Sequence, residues 1–210
     1  MKAHGKLRLA ASFFLILALF FGLLPQRAAA LDARALSREE EISAPLTDEE
    51  RKENLRLIVE YLREEMGMND AAVAAIVANI ARESNFDPRA VDVTGYFTGI
   101  CQWSPIRWSR FVLFCIVFKL DPYALESQLL YLKAELETDY SDLLNNTLLL
   151  LEDSEDGALY GQWYFCQYFE IPLELEKEQE ARAWLVYLKY WPLVSTGELA
   201  RKESDQADGA

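Results

Sequence analysis

The stretch NDAAVAAIVANIARESNFDP, residues 69–88, decides the fold of this chain. Asn69 is a residue type that caps helix N-termini, and Val73, Ile76, Val77 and Ile80 follow it at helical spacing. Most of the residues between them are alanine, so this helix is apolar on nearly every side. Such a helix is expected in the core of a domain.

One carboxylate, Glu83, lies near the end of this predicted helix. It follows Ile80 by three residues and Ile76 by seven, so it continues the apolar stripe rather than the solvent face. Partial burial and the negative C-terminal end of the helix dipole both disfavour an ionised carboxylate and raise its pKa. A glutamate with a raised pKa at a loop edge suits a general acid. The alternative is a structural glutamate that pairs with Arg82 or Arg89, or a solvated one.

Helical patterns also flank this stretch on both sides. Thr47-Asp48-Glu49-Glu50 has the form of a capping box, followed by apolar residues at helical spacing as far as Met66. A helix is predicted over 107–119, another after the N-cap and proline of Asp121-Pro122, and two or three more between 140 and 190. No strong strand alternation appears. The fold class is therefore all-α, mainly helical, with six to eight helices.

The segment that follows Glu83 is different in character. Glycine and proline interrupt residues 86–106, which predicts an irregular loop or a short hairpin. Within it, GYFTGICQW, residues 95–103, combines glycines with aromatic rings and an amide. Aromatic rings cover the apolar faces of sugars, amides bond to their hydroxyls, and glycines let a ligand approach the backbone. An ordinary glycine-rich turn that carries a core tryptophan is the alternative.

The N-terminus has the form of a secretory signal peptide over residues 1–30. A basic start precedes the apolar run Leu9–Leu24, and Ala28-Ala29-Ala30 gives a cleavage site before Leu31. An uncleaved membrane anchor is the alternative. Cleavage predicts a secreted protein, extracellular or associated with the cell wall. It also removes His4, the single histidine, which excludes Ser-His-Asp and Cys-His catalysis and the usual His-ligated zinc sites.

The charge of the chain restricts its partners. The net charge is −13, and it becomes −17 without residues 1–30, which hold four of the Lys and Arg residues and no acid. Such a chain is not expected to bind nucleic acid, nor to insert stably in a membrane after signal cleavage. Residues 31–46 are predicted to be a linker, 47–194 a single domain and 195–210 a polar tail. We expect a monomer.

The three cysteines are Cys101, Cys115 and Cys166. An odd number leaves at least one thiol outside any intramolecular disulfide. Cys115 lies inside the apolar run 111–118 and is expected to be buried. A bridge from Cys101 to either of the other two is possible. No C-x-x-C pair is present, so we expect no metal site.

Two blocks together resemble a known family. A helix that ends in Glu83-Ser84-x-Phe-x-Pro, followed by Gly99-Ile100-Cys101-Gln102-Trp103, resembles the phage tail-tip lysozyme family of the lysozyme-like superfamily. Goose-type lysozymes and soluble lytic transglycosylases share the Glu-Ser and Gly-x-x-Gln elements. The resemblance runs from about Asn54 to about Pro172. It implies a compact multi-helix domain of the lysozyme-like kind.

The resemblance also implies an activity. The resemblance implies a glycosidase that needs no cofactor. The enzyme would be a muramidase, which hydrolyses the β-1,4 bond between N-acetylmuramic acid and N-acetylglucosamine in the glycan strands of peptidoglycan. Glu83 matches the catalytic acid. The implied substrate-binding residues are Gln102, Trp103, Tyr96, Gly99 and Arg107. Arg107 would support the loop or meet an acidic group of the substrate, and a helix-capping salt bridge is the alternative.

The sequence leaves the second carboxylate open. Asp87 and Asp92 are nearest in the chain, and Glu126 and Glu170 can approach through the fold. A lytic transglycosylase needs none, because the hydroxyl of the muramic acid attacks. The further alternatives are an inactive glycan-binding module and a protein–protein module that uses the aromatic residues of 163–191. Core packing is the better account of those aromatic residues.

Overall fold

Helix α1, Asp48–Glu64, begins the part of the chain that the computed structural model describes, residues 45–197 and Leu199. The predicted capping box is present. The Glu50 N–H donates to Thr47 Oγ1 at 3.2 Å, and the Thr47 N–H donates to the Glu50 carboxylate at 2.7 Å. The predicted signal peptide lies outside the described residues, as do most of the linker and the tail.

The remaining helices follow in the described part of a compact unit that begins at Leu46. They are α2 Asp70–Ser84, α3 Pro105–Phe118, α4 Leu125–Glu137, α5 Ser141–Asn146, a 3₁₀ turn Leu148–Leu150, α6 Glu155–Phe165, α7 Leu175–Leu185 and α8 Trp191–Ser195. A π-helix, Cys166–Glu170, continues α6, and a second one, Val186–Tyr190, joins α7 to α8. If α6 is counted together with the π-helix after it, and α7, the second π-helix and α8 are counted as one, the described residues form seven helices. The all-α prediction is confirmed.

Helix α2 is the central element. The Asn69 side chain caps it by accepting from the Ala72 N–H at 3.0 Å, and every residue from 71 to 80 is buried, as the sequence predicts. Helix α6 packs closely against it. A Cβ added at Gly161 of α6 would lie 3.2 Å from the Ala75 Cβ, so the absence of a side chain allows this contact. The end of α2, which carries Glu83, is thereby held at a fixed place.

The segment between α2 and α3 is a loop with almost no regular structure. Two isolated antiparallel bridges, Val91 with Thr98 and Thr98 with Trp103, are its only β-type pairings among the described residues. Of the two predicted possibilities, an irregular loop or a short hairpin, the irregular loop is therefore confirmed. In residues 45–197, no helix is long and apolar enough to span a membrane.

Three details differ from the sequence analysis. Helix α4 begins at Leu125, because Asp121 Oδ1 accepts from the Tyr123 N–H at 3.1 Å and forms a turn instead of a helix cap. The three cysteines are all free and buried, so Cys101 forms no bridge, while Cys115 is buried as predicted. Several aromatic residues between 163 and 191 are exposed rather than in the core.

Candidate active site

Glu83 lies in the last turn of α2, immediately before the irregular loop. Its side chain is 19% exposed and forms an ion pair with Arg182 of α7. Burial raises the pKa of Glu83, and the Arg182 charge acts against this rise. The place of Glu83 and the direction of its pKa agree with the sequence analysis. Its ionic partner is neither Arg82 nor Arg89 but a residue 99 positions away.

Arg182 is held from two sides. Its side chain is 1% exposed, and its Nη1 donates to Glu178 Oε2 at 2.7 Å, while Nη2 donates to Glu83. Arg82 donates to both oxygens of Glu178, each at 2.8 Å. The hydrogen bond from Arg82 lowers the pKa of Glu178, so that carboxyl is ionised at neutral pH. These contacts fix the orientation of the guanidinium that faces Glu83.

A buried glutamine, Gln128 of α4, organises the loop. Its Oε1 accepts from the Ile100 N–H at 2.9 Å, and its Nε2 donates to the carbonyls of Pro88 and Pro122 at 2.6 and 2.8 Å. Gly99 has φ of 84°, and a Cβ there would lie 2.8 Å from Gln128 Oε1. Gly99 is therefore required by the packing of the loop.

Gln102 and Trp103 both face the protein rather than an open cleft. Gln102 Nε2 donates to the Gly99 and Ala90 carbonyls at 3.0 and 3.2 Å. The Trp103 side chain is fully buried, and its indole N–H donates to Glu135 Oε2 at 2.7 Å. The expectation that the Trp103 ring lines the cleft does not fit this arrangement, because no face of the ring is accessible. Trp103 is the core tryptophan of the alternative interpretation.

Arg107 joins α3 to two other elements. Its Nε and Nη2 donate to the two oxygens of Glu135 at 3.0 and 2.9 Å, and its Nη1 donates to the Phe169 carbonyl at 3.0 Å. The guanidinium also lies 4.3 Å from the centre of the Phe169 ring. Burial lowers the pKa of Arg107, but Glu135 raises it more, so the group stays charged. Of the two expected roles, these contacts match support of the fold around the loop.

Tyr96 lies at the exposed tip of the loop, beside Phe97. Asp92 shapes this tip, because one of its oxygens accepts from the backbone N–H groups of Tyr96 and Phe97 at 2.8 and 2.9 Å. Hydrogen bonds from the Phe97 N–H and its neighbours lower the pKa of Asp92 to about 2. Asp92 therefore organises the loop, while the two rings are available to a ligand.

Among the candidates for a second carboxylate, Glu170 is the one placed in the same electrostatic environment as Glu83. It ends the π-helix that follows α6, and its Oε1 is buried without a hydrogen-bond partner in the described residues. Burial raises the pKa of Glu170 well above its ordinary value, and the Glu83 charge raises it further, whereas Arg107 and Arg182 oppose this. Burial of Glu170 therefore favours its neutral form.

The other candidates have structural places. Asp87 accepts from the Arg89 backbone and side chain at 2.9 and 3.3 Å and forms the turn after α2. Glu126 is exposed on α4. No three His, Cys, Asp or Glu side chains in residues 45–197 lie close enough together to hold a metal ion.

The sequence analysis did not find Arg182 or Glu135 as site residues. Arg182 follows Glu178 by four residues, a spacing that normally indicates a surface ion pair. Gln128, Leu132 and Glu135 are spaced four and three residues apart, so they lie on one face of α4. The two polar residues on this apolar face are the signal in the sequence that could have identified Glu135.

The comparison with known families agrees with this geometry. The pattern that defines the phage tail lysozyme family matches residues 53–185, which include Glu83, the loop, Arg107, Glu135, Glu170 and Arg182. The chain belongs to the phage tail lysozyme family. No curated protein matches the chain significantly. Family membership indicates a lysozyme-like function in the degradation of peptidoglycan, and the resemblance of the Glu-Ser and Gly-Ile-x-Gln-Trp blocks is confirmed at the level of the family.

Proposed function

We propose that this protein is a muramidase that hydrolyses the β-1,4 bond between N-acetylmuramic acid and N-acetylglucosamine, with Glu83 as the general acid. The observation that carries the proposal is the place of Glu83. It is a largely buried carboxyl at a helix end, next to a loop with exposed aromatic rings, and burial raises its pKa. These are the requirements for a group that stays protonated towards neutral pH and still reaches a ligand.

In the proposed reaction, protonated Glu83 donates its proton to the oxygen of the glycosidic bond as that bond breaks. The leaving sugar keeps the proton, and positive charge develops on the remaining sugar ring. A water molecule then supplies the hydroxyl of the new reducing end, and its remaining proton passes to the Glu83 carboxylate, which restores the acid. Arg182 orients the Glu83 carboxyl before the reaction and stabilises the anion that remains after proton transfer.

The protonation of Glu170 bears on which group attacks the positively charged sugar ring. A retaining hydrolase needs an ionised carboxylate as its nucleophile. Burial raises the pKa of Glu170 and so disfavours that anion. The same direction disfavours Glu170 as the base that activates water in an inverting hydrolase. In the proposed hydrolysis the Glu83 carboxylate that remains after proton transfer takes the proton of the water instead. The observation favours the second candidate, lytic transglycosylation, in which the hydroxyl of the muramic acid attacks and no second carboxylate is needed.

Digestion of purified peptidoglycan followed by mass analysis of the products tests the proposal. A reducing muramic acid end is expected for hydrolysis, and an anhydro end, lighter by one water, for transglycosylation. Binding without any cleavage would refute both and leave an inactive glycan-binding module.

We further propose that the protein is exported. The support is the basic start, the apolar run and Ala28-Ala29-Ala30. N-terminal sequencing of the mature protein should give Leu31 as the first residue, and an intact Met1 would refute the proposal.

A further inference from the structure

The outer side of α6 and of the π-helix after it carries a row of exposed aromatic rings. Residues 157–169 contain no charged residue, in a chain with 34 acidic and 21 basic side chains. Tyr160, Trp163 and Tyr168 are 53%, 40% and 48% exposed, and Tyr164 lies between them. We call these four residues the α6 aromatic face. The opposite side of α6 packs against α2, and within the row only Tyr164 is partly buried against the core.

The rings form a continuous surface. Ring centres are 4.6 Å apart between Tyr160 and Tyr164, and 5.4 Å apart between Tyr164 and Tyr168. The Trp163 ring meets that of Tyr164 at 5.1 Å. Tyr160 and Tyr168 are eight residues apart, which corresponds to roughly 12 Å along a helix. A contiguous patch of exposed apolar surface is a candidate binding site.

The chemistry of the row favours a saccharide. Tyrosine and tryptophan present an apolar ring together with a polar tip, and a sugar presents an apolar face together with hydroxyls. The lack of charge between residues 157 and 169 also matters, because the chain as a whole repels an anionic polymer. A neutral face lets such a polymer make close contact.

The row leads along the chain into the candidate active site. Tyr168 directly precedes Phe169, whose carbonyl accepts a hydrogen bond from Arg107. The next residue is Glu170, whose pKa is raised by the charge of Glu83. We propose that the α6 aromatic face binds a peptidoglycan glycan strand outside the Glu83 site. This deepens the muramidase proposal and rests on its substrate class, but the binding itself requires no turnover.

The test uses the full chain with Glu83→Gln, so that bound strands are not cut. Its affinity for peptide-free glycan strands from purified peptidoglycan is measured by calorimetry. Adding Tyr160→Ala and Tyr168→Ala should weaken binding about ten-fold or more, as is usual when anchoring aromatic residues are truncated. The matched control removes two exposed rings from the second half of the domain, Trp184→Ala and Tyr187→Ala, which are 57% and 53% exposed. The control should bind like its parent.

A second measurement does not use the double variants. Glycan strands should change the tryptophan fluorescence of the Glu83→Gln parent, and adding the conservative change Trp163→Phe to that parent should remove most of the fluorescence change. Unaltered affinity in the tyrosine variant, or equal losses in both double variants, would overturn the proposal. So would a shift from dimer to monomer in the tyrosine variant, because a second copy of the chain would then cover the face. If Glu83→Gln still cuts the strands, the catalytic assignment fails while the binding comparison remains valid.

Discussion

The sharpest test of the candidate site compares two carboxylates that share one arginine. Glu83 and Glu178 both accept from Arg182, and their side chains are 19% and 20% exposed. Glu83→Gln and Glu178→Gln each replace one of these carboxylates with a neutral side chain of the same shape. Only the first variant removes the proposed proton donor.

Glu178→Gln should lose more stability than Glu83→Gln, because Glu178 also accepts from Arg82 whereas burial disfavours the ionised form of Glu83. Removing the partner of a buried charge costs about 3–5 kcal/mol when the charge is left unpaired. Here one carboxylate remains beside Arg182, and the new amide oxygen can still accept a hydrogen bond. We therefore expect a loss of about 1–3 kcal/mol in the free energy of unfolding for each variant, measured in urea.

Their activities should differ. Loss of general acid catalysis lowers the rate by about 10²–10⁴-fold, and that loss is expected only for Glu83→Gln. The charge of Glu178 raises the pKa of Glu83. Glu178→Gln should therefore shift the alkaline limb of the activity profile to lower pH, because the protonated form of Glu83 is the active one.

Loss of turbidity of purified peptidoglycan, followed over a range of pH, measures both effects. Wild-type activity in Glu83→Gln would refute the assignment of the acid. An equally large loss in Glu178→Gln would show that the rate depends on the placement of Arg182, not on the proton of Glu83.

Three further substitutions test the surroundings of the site. Trp103→Phe removes the 2.7 Å hydrogen bond to Glu135 and should cost about 1–3 kcal/mol of stability in urea with an unchanged KM, whereas a raised KM without loss of stability would indicate sugar contact. Gly99→Ala should lower the melting temperature more than Gly95→Ala, because both backbones have positive φ but only the first Cβ meets other atoms within 4 Å. The wild-type free energy of unfolding should fall as pH rises from about 4.3 towards the folded pKa of Glu170, because burial raises that pKa and the carboxyl ionises more readily on unfolding, and Glu170→Gln should remove this fall. A stability difference between the wild type and Glu170→Gln that does not change with pH would contradict this burial.

The elements that the sequence predicted well are those decided by local patterns. Helix α2 follows from an apolar run with a capping asparagine, and the phase of that helix places Glu83 at the edge of the loop. The loop follows from its glycines and prolines. These features depend on neighbours within one helix or turn, so they were accessible without the fold.

The elements that it missed depend on distant contacts. Arg182 is a charged residue, and its burial results from α7 packing beside the end of α2. Trp103 looked like a ligand-binding ring because its sequence neighbours are glycines and an amide, but Glu135 and the aromatic residues of α3 and α4 enclose it. The exposed tyrosines of α6 fall at helical spacing, which also describes core residues, and only the packing of α6 distinguishes the two sides.

The ion pairs of the site indicate how a glycan would be recognised. Arg107 and Arg182 are cations whose charges lower the pKa of Glu170. Both already have carboxylate partners, Glu135 for the first and Glu83 and Glu178 for the second. A guanidinium that is neutralised in this way attracts an anionic polymer weakly, and the net charge of the chain repels it. Repulsion between exposed charges is screened beyond about 8 Å at physiological salt, so short-range contacts decide binding. In the proposed mode of binding, those contacts come from uncharged groups, the rings at the tip of the loop and the row along α6. The acidic composition is thus compatible with a substrate that is itself anionic.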